Sequence, residues 1–358
     1  MDIQSDAFEK SEATSNIKDI GLKDLTHSEL CDYFSDIGEK KFRVDQLWKR
    51  MYQDCVQDMD SVTEFSEKLR AELNRKARIS SVEMLQKQVS TDGTRKYLFD
   101  IRDGYAIESV FMKYKYGNSL CISSQVGCRM GCKFCASGIG GLVRNLSAGE
   151  FINQIISVEK DTNEKISHIV VMGTGEAFDN YENLSKFLKL VNSPEGLGIG
   201  MRNITVSTCG LVPKIKMFAR DFPQVNLAIS LHQTDNDKRS EIMPVNKKYD
   251  IGELIKACKE YFETTKRRVT FEYALISGVN DKKSDMQDLA KLLKGFACHV
   301  NLIDLNHVQE LEFLPVGAQN ARANTEYLNT LGVNATLRRK LGEEIDGACG
   351  QLRASRKL

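Results

Sequence analysis

Three cysteines lie within eight residues, in the segment CRMGCKFC, and these residues have the clearest chemistry in the chain. They are Cys128, Cys132 and Cys135. Thiolates are soft ligands that favour zinc or iron-sulfur clusters. Structural zinc sites and electron-carrying clusters take four protein ligands, and no fourth cysteine or histidine lies near this segment. The spacing therefore predicts a metal centre with one open position. A structural zinc site completed by a distant cysteine or by His168 is the alternative.

The longer segment CISSQVGCRMGCKFCASGIGGLVRNLSAG, residues 121–149, resembles the cluster-binding segment of radical S-adenosylmethionine (SAM) enzymes. Their signature is C-x3-C-x2-C with an aromatic residue, here Phe134, before the last cysteine. The segment is most similar to the RlmN/Cfr group, which methylates an adenosine in large-subunit ribosomal RNA. This resemblance implies that the three cysteines bind three irons of a [4Fe-4S] cluster and that the fourth iron binds SAM.

The resemblance continues at residues that follow predicted strands. Gly175 and Glu176, in the segment MGTGE, are similar to the part of the family that binds the amino group of SAM. The other matching positions imply hydrogen bonds to the ribose, carboxylate or adenine of SAM. They are Ser207, Ser230, Leu231, His232 and Asn306.

Two further cysteines lie outside the cluster segment. Composition alone favours buried, unreactive thiols for both Cys121 and Cys349. The resemblance instead implies that Cys349, in DGACGQL, carries the methyl group as S-methylcysteine. It also implies that Cys121 later forms a disulfide bond with Cys349 and releases the product. By the same resemblance, Glu108 is the candidate proton acceptor, and each turnover uses two SAM molecules.

A radical route explains how the implied reaction can methylate an unreactive carbon. Carbon 2 of adenine lies between two ring nitrogens and is electron-poor, so it does not attack the methyl group of SAM directly. The resemblance implies methylation of adenosine C2 in the peptidyl-transferase centre of 23S rRNA, and of the adenosine next to the anticodon in tRNA. One alternative is methylation of C8 on the same rRNA adenosine. A second alternative is a non-enzymatic, zinc-bound RNA-binding or redox-sensing protein.

The composition is that of an ordinary globular protein, with 358 residues, 41% hydrophobic and 28% charged. No run approaches 18 apolar residues, and the acidic N-terminus does not resemble a signal peptide, so we expect a cytoplasmic protein without a membrane partner. Ten cysteines at irregular spacing fit a reducing compartment. The net charge of +1 gives no independent argument for RNA, and basic clusters such as Arg338, Arg339 and Lys340 are typical of solvated faces. The partners that the resemblance implies are 23S rRNA, tRNA and a flavodoxin-like or ferredoxin-like electron donor, and the chain is expected to be a monomer.

Hydrophobic periodicity predicts an α/β protein with three parts. Residues 1–79 are predicted to form a helical accessory domain, with Trp48 in its core, and residues 80–115 a β-hairpin linker. Residues 116–358 alternate strands with amphipathic helices, which predicts a partial (β/α)6 barrel with a C-terminal extension that carries Cys349. The barrel strands are predicted at residues 120–123, 168–172, 203–207, 225–230, 269–274 and 300–305. Ligands gather at the carboxyl ends of such strands.

Overall fold

A small helical region opens the computed structural model, which describes residues 20–295 and 297–356. Its elements are β1 (Ile20–Gly21), α1 (His27–Asp36), α2 (Lys41–Tyr52), α3 (Glu67–Lys76) and β2 (Ala77–Arg78), with β1 and β2 paired in parallel. A capping box between Thr26 and Glu29 begins α1. Trp48 is 2% exposed and lies in the core, as expected. The N-terminal segment considered for a signal peptide lies outside the described residues.

Four antiparallel strands follow the helical region. They are β3 (Glu83–Val89), β4 (Arg95–Asp100), β5 (Tyr105–Tyr114) and β6 (Gly117–Ile122). The predicted turn between β4 and β5 closes with the Ile101 amide donating to the Tyr105 carbonyl over 3.1 Å. Since β5 pairs with β6, and β6 also belongs to the parallel sheet, the predicted linker and the barrel share one sheet. The division into three domains therefore stays a prediction.

The parallel part of the sheet contains all six predicted barrel strands. A short hairpin, β7 (Gln125–Gly127) with β8 (Leu142–Asn145), frames the cysteine segment. The following elements are α4 (Ala148–Thr162), β9 (His168–Val171), α5 (Tyr181–Asn192), β10 (Ile204–Thr208), α6 (Val212–Asp221), β11 (Asn226–Ser230), α7 (Asn236–Ile242), α8 (Ile251–Thr265), β12 (Val269–Leu275), α9 (Lys283–Leu293), β13 (Cys298–Asp304), α10 (Ala318–Thr330) and β14 (Ala335–Leu337). The order of parallel strands is β14-β13-β12-β11-β10-β9-β6, so β14 adds a seventh, unpredicted strand.

Amphipathic helices cover this sheet. In α5, the buried residues Leu184, Phe187, Leu188 and Val191 recur at the spacing of one helical face. Strand residues such as Val206 are fully buried, as expected where helices cover a parallel sheet. Because all seven strands run in the same direction, their carboxyl ends meet at one edge. The residues that follow those ends are thereby brought together.

The C-terminal segment returns across the sheet. Its last strand, β15 (Ser355–Arg356), pairs antiparallel with the start of β5. This pairing fixes the far end of the segment that contains Cys349. Within residues 20–295 and 297–356, none of the helices combines the length and apolar character needed to cross a bilayer.

Candidate active site

The three clustered cysteines lie on the loop between β7 and β8. The Cys128 amide donates to the Gly141 carbonyl over 2.9 Å, and the Cys135 amide donates to the Cys132 carbonyl over 3.2 Å. All three thiols are free and face one cavity at the carboxyl ends of the barrel strands. Burial raises the pKa of Cys128 to about 12 and also raises the pKa of Cys132 and of Cys135. Positively charged irons would stabilise the three thiolates, so this donor set fits a cluster that takes three sulfur ligands from the chain.

This first cavity has a volume of about 160 Å³ and gathers nearly all the predicted site residues. Among those residues, it is lined by Cys128, Cys132, Cys135, Gly175, Glu176, Ser207, Ser230, His232, Asn306 and Cys349. They come from the cysteine loop, from the ends of four barrel strands and from the C-terminal segment. Thiols, hydroxyls, an amide and a carboxylate thus surround one space, as a ligand with both polar and apolar parts requires.

Glu176 lies at the turn after β9, on the wall of the first cavity. Its carboxylate accepts hydrogen bonds from the Phe178 amide over 3.0 Å and from the Cys209 amide over 2.8 Å. Burial raises the pKa of the Glu176 carboxyl, and these amides act in the opposite direction. Gly175 has a φ of 108°, and a Cβ atom there would lie 2.6 Å from the Gln125 Cβ atom. Only glycine fits this turn without displacement, and the turn presents a fixed carboxylate to a ligand ammonium group.

His232 follows β11 and is held as a neutral imidazole. Its Nδ1 atom accepts a hydrogen bond from the Ala274 amide over 2.9 Å, so the proton is on Nε2. Its ring meets the Phe134 ring edge-on, with 4.8 Å between the centroids. Burial, assisted by Arg239, lowers the pKa of His232 to about 3. His232 therefore offers the cavity a hydrogen-bond donor without a positive charge.

Leu231 and Ser230, the other two residues of this motif, differ in their surroundings. Ser230 faces the first cavity, whereas the Leu231 side chain is fully buried in the core and does not line it. The Leu231 amide donates to the Glu272 carbonyl over 3.0 Å. Leu231 could therefore contact a ligand only through its backbone atoms.

The loops after β10 and β11 are connected by a buried arginine that the sequence analysis did not identify. Arg239 is 0% exposed, and it donates to the carbonyl groups of Cys209, Ser230 and Leu231 over 2.8 to 3.0 Å. Arg239 thus holds the backbone that presents Ser230 and His232. Its only sequence signal was its position one helical turn into a short helix after the strand.

Asn306 connects the barrel to the C-terminal segment. Its Nδ2 atom donates to the Cys349 carbonyl over 3.0 Å, whereas its buried Oδ1 atom has no partner among the described residues. Two more bonds join the cysteine loop to this segment: Ala136 amide to Gly350 carbonyl over 2.8 Å and Ser137 hydroxyl to Leu352 carbonyl over 2.7 Å. The structure thus brings Cys349 beside the predicted cluster loop, and Asn306 keeps one acceptor free for a ligand.

Cys121 lies in a second cavity that adjoins the first. It is 5% exposed, and burial, followed by the proximity of Cys349, raises the pKa of its thiol to about 12. Both cavities are lined by Met172, Ile303, Asn306, Arg338 and Cys349, so these residues form their common wall. Cys121 and Cys349 are both free thiols in this structure. Cys349 can therefore face the cluster loop on one side and Cys121 on the other.

Arg338 supplies a positive charge at the common wall. Its NH1 atom lies 3.6 Å from the buried Glu272 carboxylate. The neighbouring Cys349 sulfur raises the pKa of the Arg338 guanidinium, against the effect of its own burial. The basic run in the sequence predicted a solvated face for Arg338, because a run of charges does not reveal which side chain turns inward.

Glu108 lies outside both cavity linings. Its Oε2 atom accepts a hydrogen bond from the Arg353 amide over 2.9 Å, and its Oε1 atom lies 3.2 Å from the Lys96 ammonium. In this conformation Glu108 anchors the backbone four residues after Cys349. Its role as proton acceptor stays a prediction.

Two family models match the chain. The first, described as "Ribosomal RNA large subunit methyltransferase N-terminal domain", matches residues 20–79, which include the helical region. The second, the "Radical SAM superfamily", matches residues 122–293, from the end of β6 to the end of α9. The matched ranges therefore include both the helical region and most of the barrel.

Similar proteins and structures cover nearly the whole chain. A protein of Desulforamulus reducens named "Probable dual-specificity RNA methyltransferase RlmN" is 48% identical, over 95% of this chain and 97% of that protein. A protein of the same name from Caldanaerobacter subterraneus subsp. tengcongensis is 50% identical, over 93% of this chain and 97% of that protein. A radical SAM methyltransferase from Sphaerobacter thermophilus, whose crystal structure is known, is 41% identical in sequence. The two structures superpose with a TM-score of 0.89, over 93% of this chain and 99% of that chain. This likeness confirms the predicted fold.

Proposed function

Because the chain belongs to the RlmN family of radical SAM RNA methyltransferases, we propose that it methylates carbon 2 of an adenosine in the peptidyl-transferase centre of 23S rRNA. The predicted enzyme class and the predicted cofactors, a [4Fe-4S] cluster and SAM, are confirmed by this membership, and the non-enzymatic alternative is wrong. The proposal also includes the adenosine next to the anticodon in tRNA. The words "dual-specificity" in the names of the relatives support this second substrate.

The position of Cys349 on the common wall of the two cavities carries this proposal. A methyl carrier must first face the methyl donor and later face both the base and the resolving thiol. Cys349 lines the cavity of the cluster cysteines and of Glu176, and it also lines the cavity of Cys121. A purely structural thiol would not require two accessible sides.

The side chains of this protein have distinct tasks in the proposed reaction. When bound, SAM and the cluster supply the methyl group and the radical chemistry. Glu176 and His232 orient the amino acid and nucleoside parts of the cofactor, since one is a fixed acceptor and the other a neutral donor. Cys349 accepts the methyl group on sulfur and passes its carbon to the base. Arg338 lines both cavities with Cys349 and places a positive charge at their common wall.

Product release requires the two thiols together. Glu108 removes the proton from the methylated carbon of the base once the C-terminal segment has shifted. Cys121, as thiolate, then attacks the Cys349 sulfur; a disulfide forms, and the bond between that sulfur and the product breaks. The bond electrons leave with the product, whose CH2 carbon takes up a proton to become the methyl group, so the two cysteines are oxidised together. The unpaired electron of the earlier radical adduct would return to the cluster before the disulfide forms. An external thiol restores them, which places the reaction in a reducing compartment and supports a cytoplasmic location.

The proposal also includes an electron donor and the oligomeric state of the enzyme. The one-electron chemistry of the cluster requires a donor of low potential, and a flavodoxin-like or ferredoxin-like protein has suitable chemistry. We also propose that the chain acts as a monomer, since one chain by itself brings Glu176, His232 and Cys349 around the first cavity and Cys121 and Cys349 around the second.

The regiochemistry is tested by nucleoside analysis. Anaerobically reconstituted enzyme is incubated with SAM, a reductant and either deproteinised 23S rRNA, intact large subunits or tRNA, and the RNA is digested. Mass spectrometry against both standards should detect 2-methyladenosine in the rRNA and tRNA reactions. Detection of 8-methyladenosine would overturn the C2 proposal, and unmodified tRNA would remove the second substrate.

A further inference from the structure

Two stacked tyrosines, the half-buried Tyr114 and the exposed Tyr116, lie at the turn between β5 and β6. The Tyr114 and Tyr116 rings are nearly parallel, with 4.9 Å between their centroids and 9° between their planes. Tyr116 is 66% exposed, the highest value among the exposed large hydrophobic residues described. An exposed ring that a second ring holds in place offers a face on which another flat ring can stack.

The turn fixes the orientation of this pair. Gly117 has a φ of 135°, and a Cβ atom there would lie 2.2 Å from the Ser167 hydroxyl. The Tyr116 ring also meets the His168 ring at a steep angle, with 5.1 Å between centroids. Tyr116 is thus supported by Tyr114 and His168 and still leaves most of its surface accessible. A ring that is already ordered loses little side-chain entropy when a ligand stacks on it.

The stacked pair adjoins the cavity where the base must react. Tyr114 lines the second cavity together with Cys121 and Cys349. Arg338 and Arg339 line the same cavity. Arg339 and Lys115, the residue between the two tyrosines, are both exposed. An aromatic face flanked by exposed cations matches the chemistry of an unpaired nucleotide, whose base stacks while its phosphate is attracted to the cations.

We propose that Tyr116, supported by Tyr114, stacks on an unpaired nucleotide that neighbours the methylated adenosine. This inference rests on the proposed function. An enzyme that modifies a ring atom takes the target base out of its stack, and the neighbouring base then loses a stacking partner. Tyr116 replaces that partner just outside the cavity and holds the RNA in register with Cys349.

The test compares Tyr116→Ala, Tyr116→Phe and Tyr116→Trp in the full chain with its cluster reconstituted. The probe is a 23S rRNA fragment that contains the target adenosine in its unpaired loop. Loss of one stacked base should raise KM by roughly 5- to 150-fold in Tyr116→Ala, with little change in kcat. Phe and Trp retain the ring face and should keep KM close to the wild-type value. Since Tyr116 is exposed, all three variants should fold, which melting curves verify.

Leu331→Ala is a matched control. Leu331 is 37% exposed and lines neither the first nor the second cavity. Its substitution should leave KM unchanged. In a second experiment, each nucleotide beside the target is replaced in turn by an abasic residue. One of these replacements should weaken the binding of RNA to the wild-type enzyme, and that same replacement should not weaken the binding to Tyr116→Ala any further.

Three results would overturn the stacking proposal: an unchanged KM in Tyr116→Ala, an equal loss in Tyr116→Phe, or additive effects of Tyr116→Ala and every abasic substitution. Failure of the proposed function has a separate signature. Methyl uptake by wild-type Cys349 without RNA reports on that function and does not involve the stack.

Discussion

Among single residues, Cys121 and Cys349 line one cavity and have different tasks in the proposed reaction. In Cys349→Ala the methyl acceptor is lost, so methyl uptake by the protein should fall to background. In Cys121→Ala the carrier remains and the resolving thiol is missing, so the protein should stay covalently attached to RNA. Denaturing gels with labelled RNA distinguish the two outcomes. Cys298→Ala, a partly buried thiol outside both cavities, is the control and should behave as wild type. Equal activity of the Cys121 and Cys349 variants would contradict this division of roles.

The neutral state of His232 gives a second prediction at this scale. Its pKa in the folded protein, about 3, is below the ordinary value of 6.5, so the unfolded chain binds the proton first as pH falls. The stability contributed by neutral His232 is therefore complete above pH 6.5 and declines as pH falls from 6.5 toward 3, by at most about 1.4 kcal/mol per pH unit.

His232→Asn should remove that part of the acid sensitivity. Asparagine tolerates the positive φ of 54° at this position, and its side-chain oxygen can accept from the Ala274 amide in place of Nδ1. Urea unfolding of the metal-free protein at pH 7 and pH 5 measures the difference. If both proteins lose the same stability between these values, His232 is not held neutral by burial.

Residue types and spacing predicted much of this site, but not the direction of individual side chains. The motifs identified Glu176 and His232 because each lies in a short segment after the end of a barrel strand. They could not show that Leu231 turns into the core, or that Arg338 turns from a basic run toward Cys349. Those directions depend on packing between elements that are distant in sequence.

At the scale of elements, the C-terminal segment is the part whose position matters most. It is held by Asn306, by the cysteine loop and by Glu108, and each contact lies within a few residues of Cys349. Periodicity gave no indication of these contacts, because the segment is an irregular loop with short strands. The six longer barrel strands were predictable for the opposite reason, since their apolar runs alternate regularly with amphipathic helices.

Substitutions of Glu108 separate anchoring from proton transfer. Glu108→Ala removes the acceptor of the Arg353 amide, so hydrogen exchange at residues 347–354 should increase several-fold. Glu108→Gln keeps an oxygen acceptor and should retain most of the protection. It cannot accept the proton from the base, so it should accumulate the protein–RNA adduct. If Glu108→Gln turns over normally, Glu108 is an anchor and not the proton acceptor.

At the scale of the whole molecule, buried polar contacts join the helical region to the barrel. The Lys23 ammonium donates to the Asn153 side chain over 2.9 Å, and the Gly149 amide donates to the Asp24 carboxylate over 2.7 Å. Burial lowers the pKa of Lys23 to about 8. Such a buried lysine is stabilised only by a fixed partner, which indicates a defined interface between the two parts. The helical region was predictable from its own pattern, whereas this interface was not.

The most direct test of the account follows one labelled methyl group through the wild-type protein. Enzyme with its cluster is incubated with methyl-labelled SAM and reductant without RNA, separated from free SAM, and then supplied with RNA and unlabelled SAM. The account predicts label on the Cys349 peptide after the first stage, and its carbon on adenosine C2 after the second. Label that reaches RNA while Cys349 stays unlabelled would contradict it.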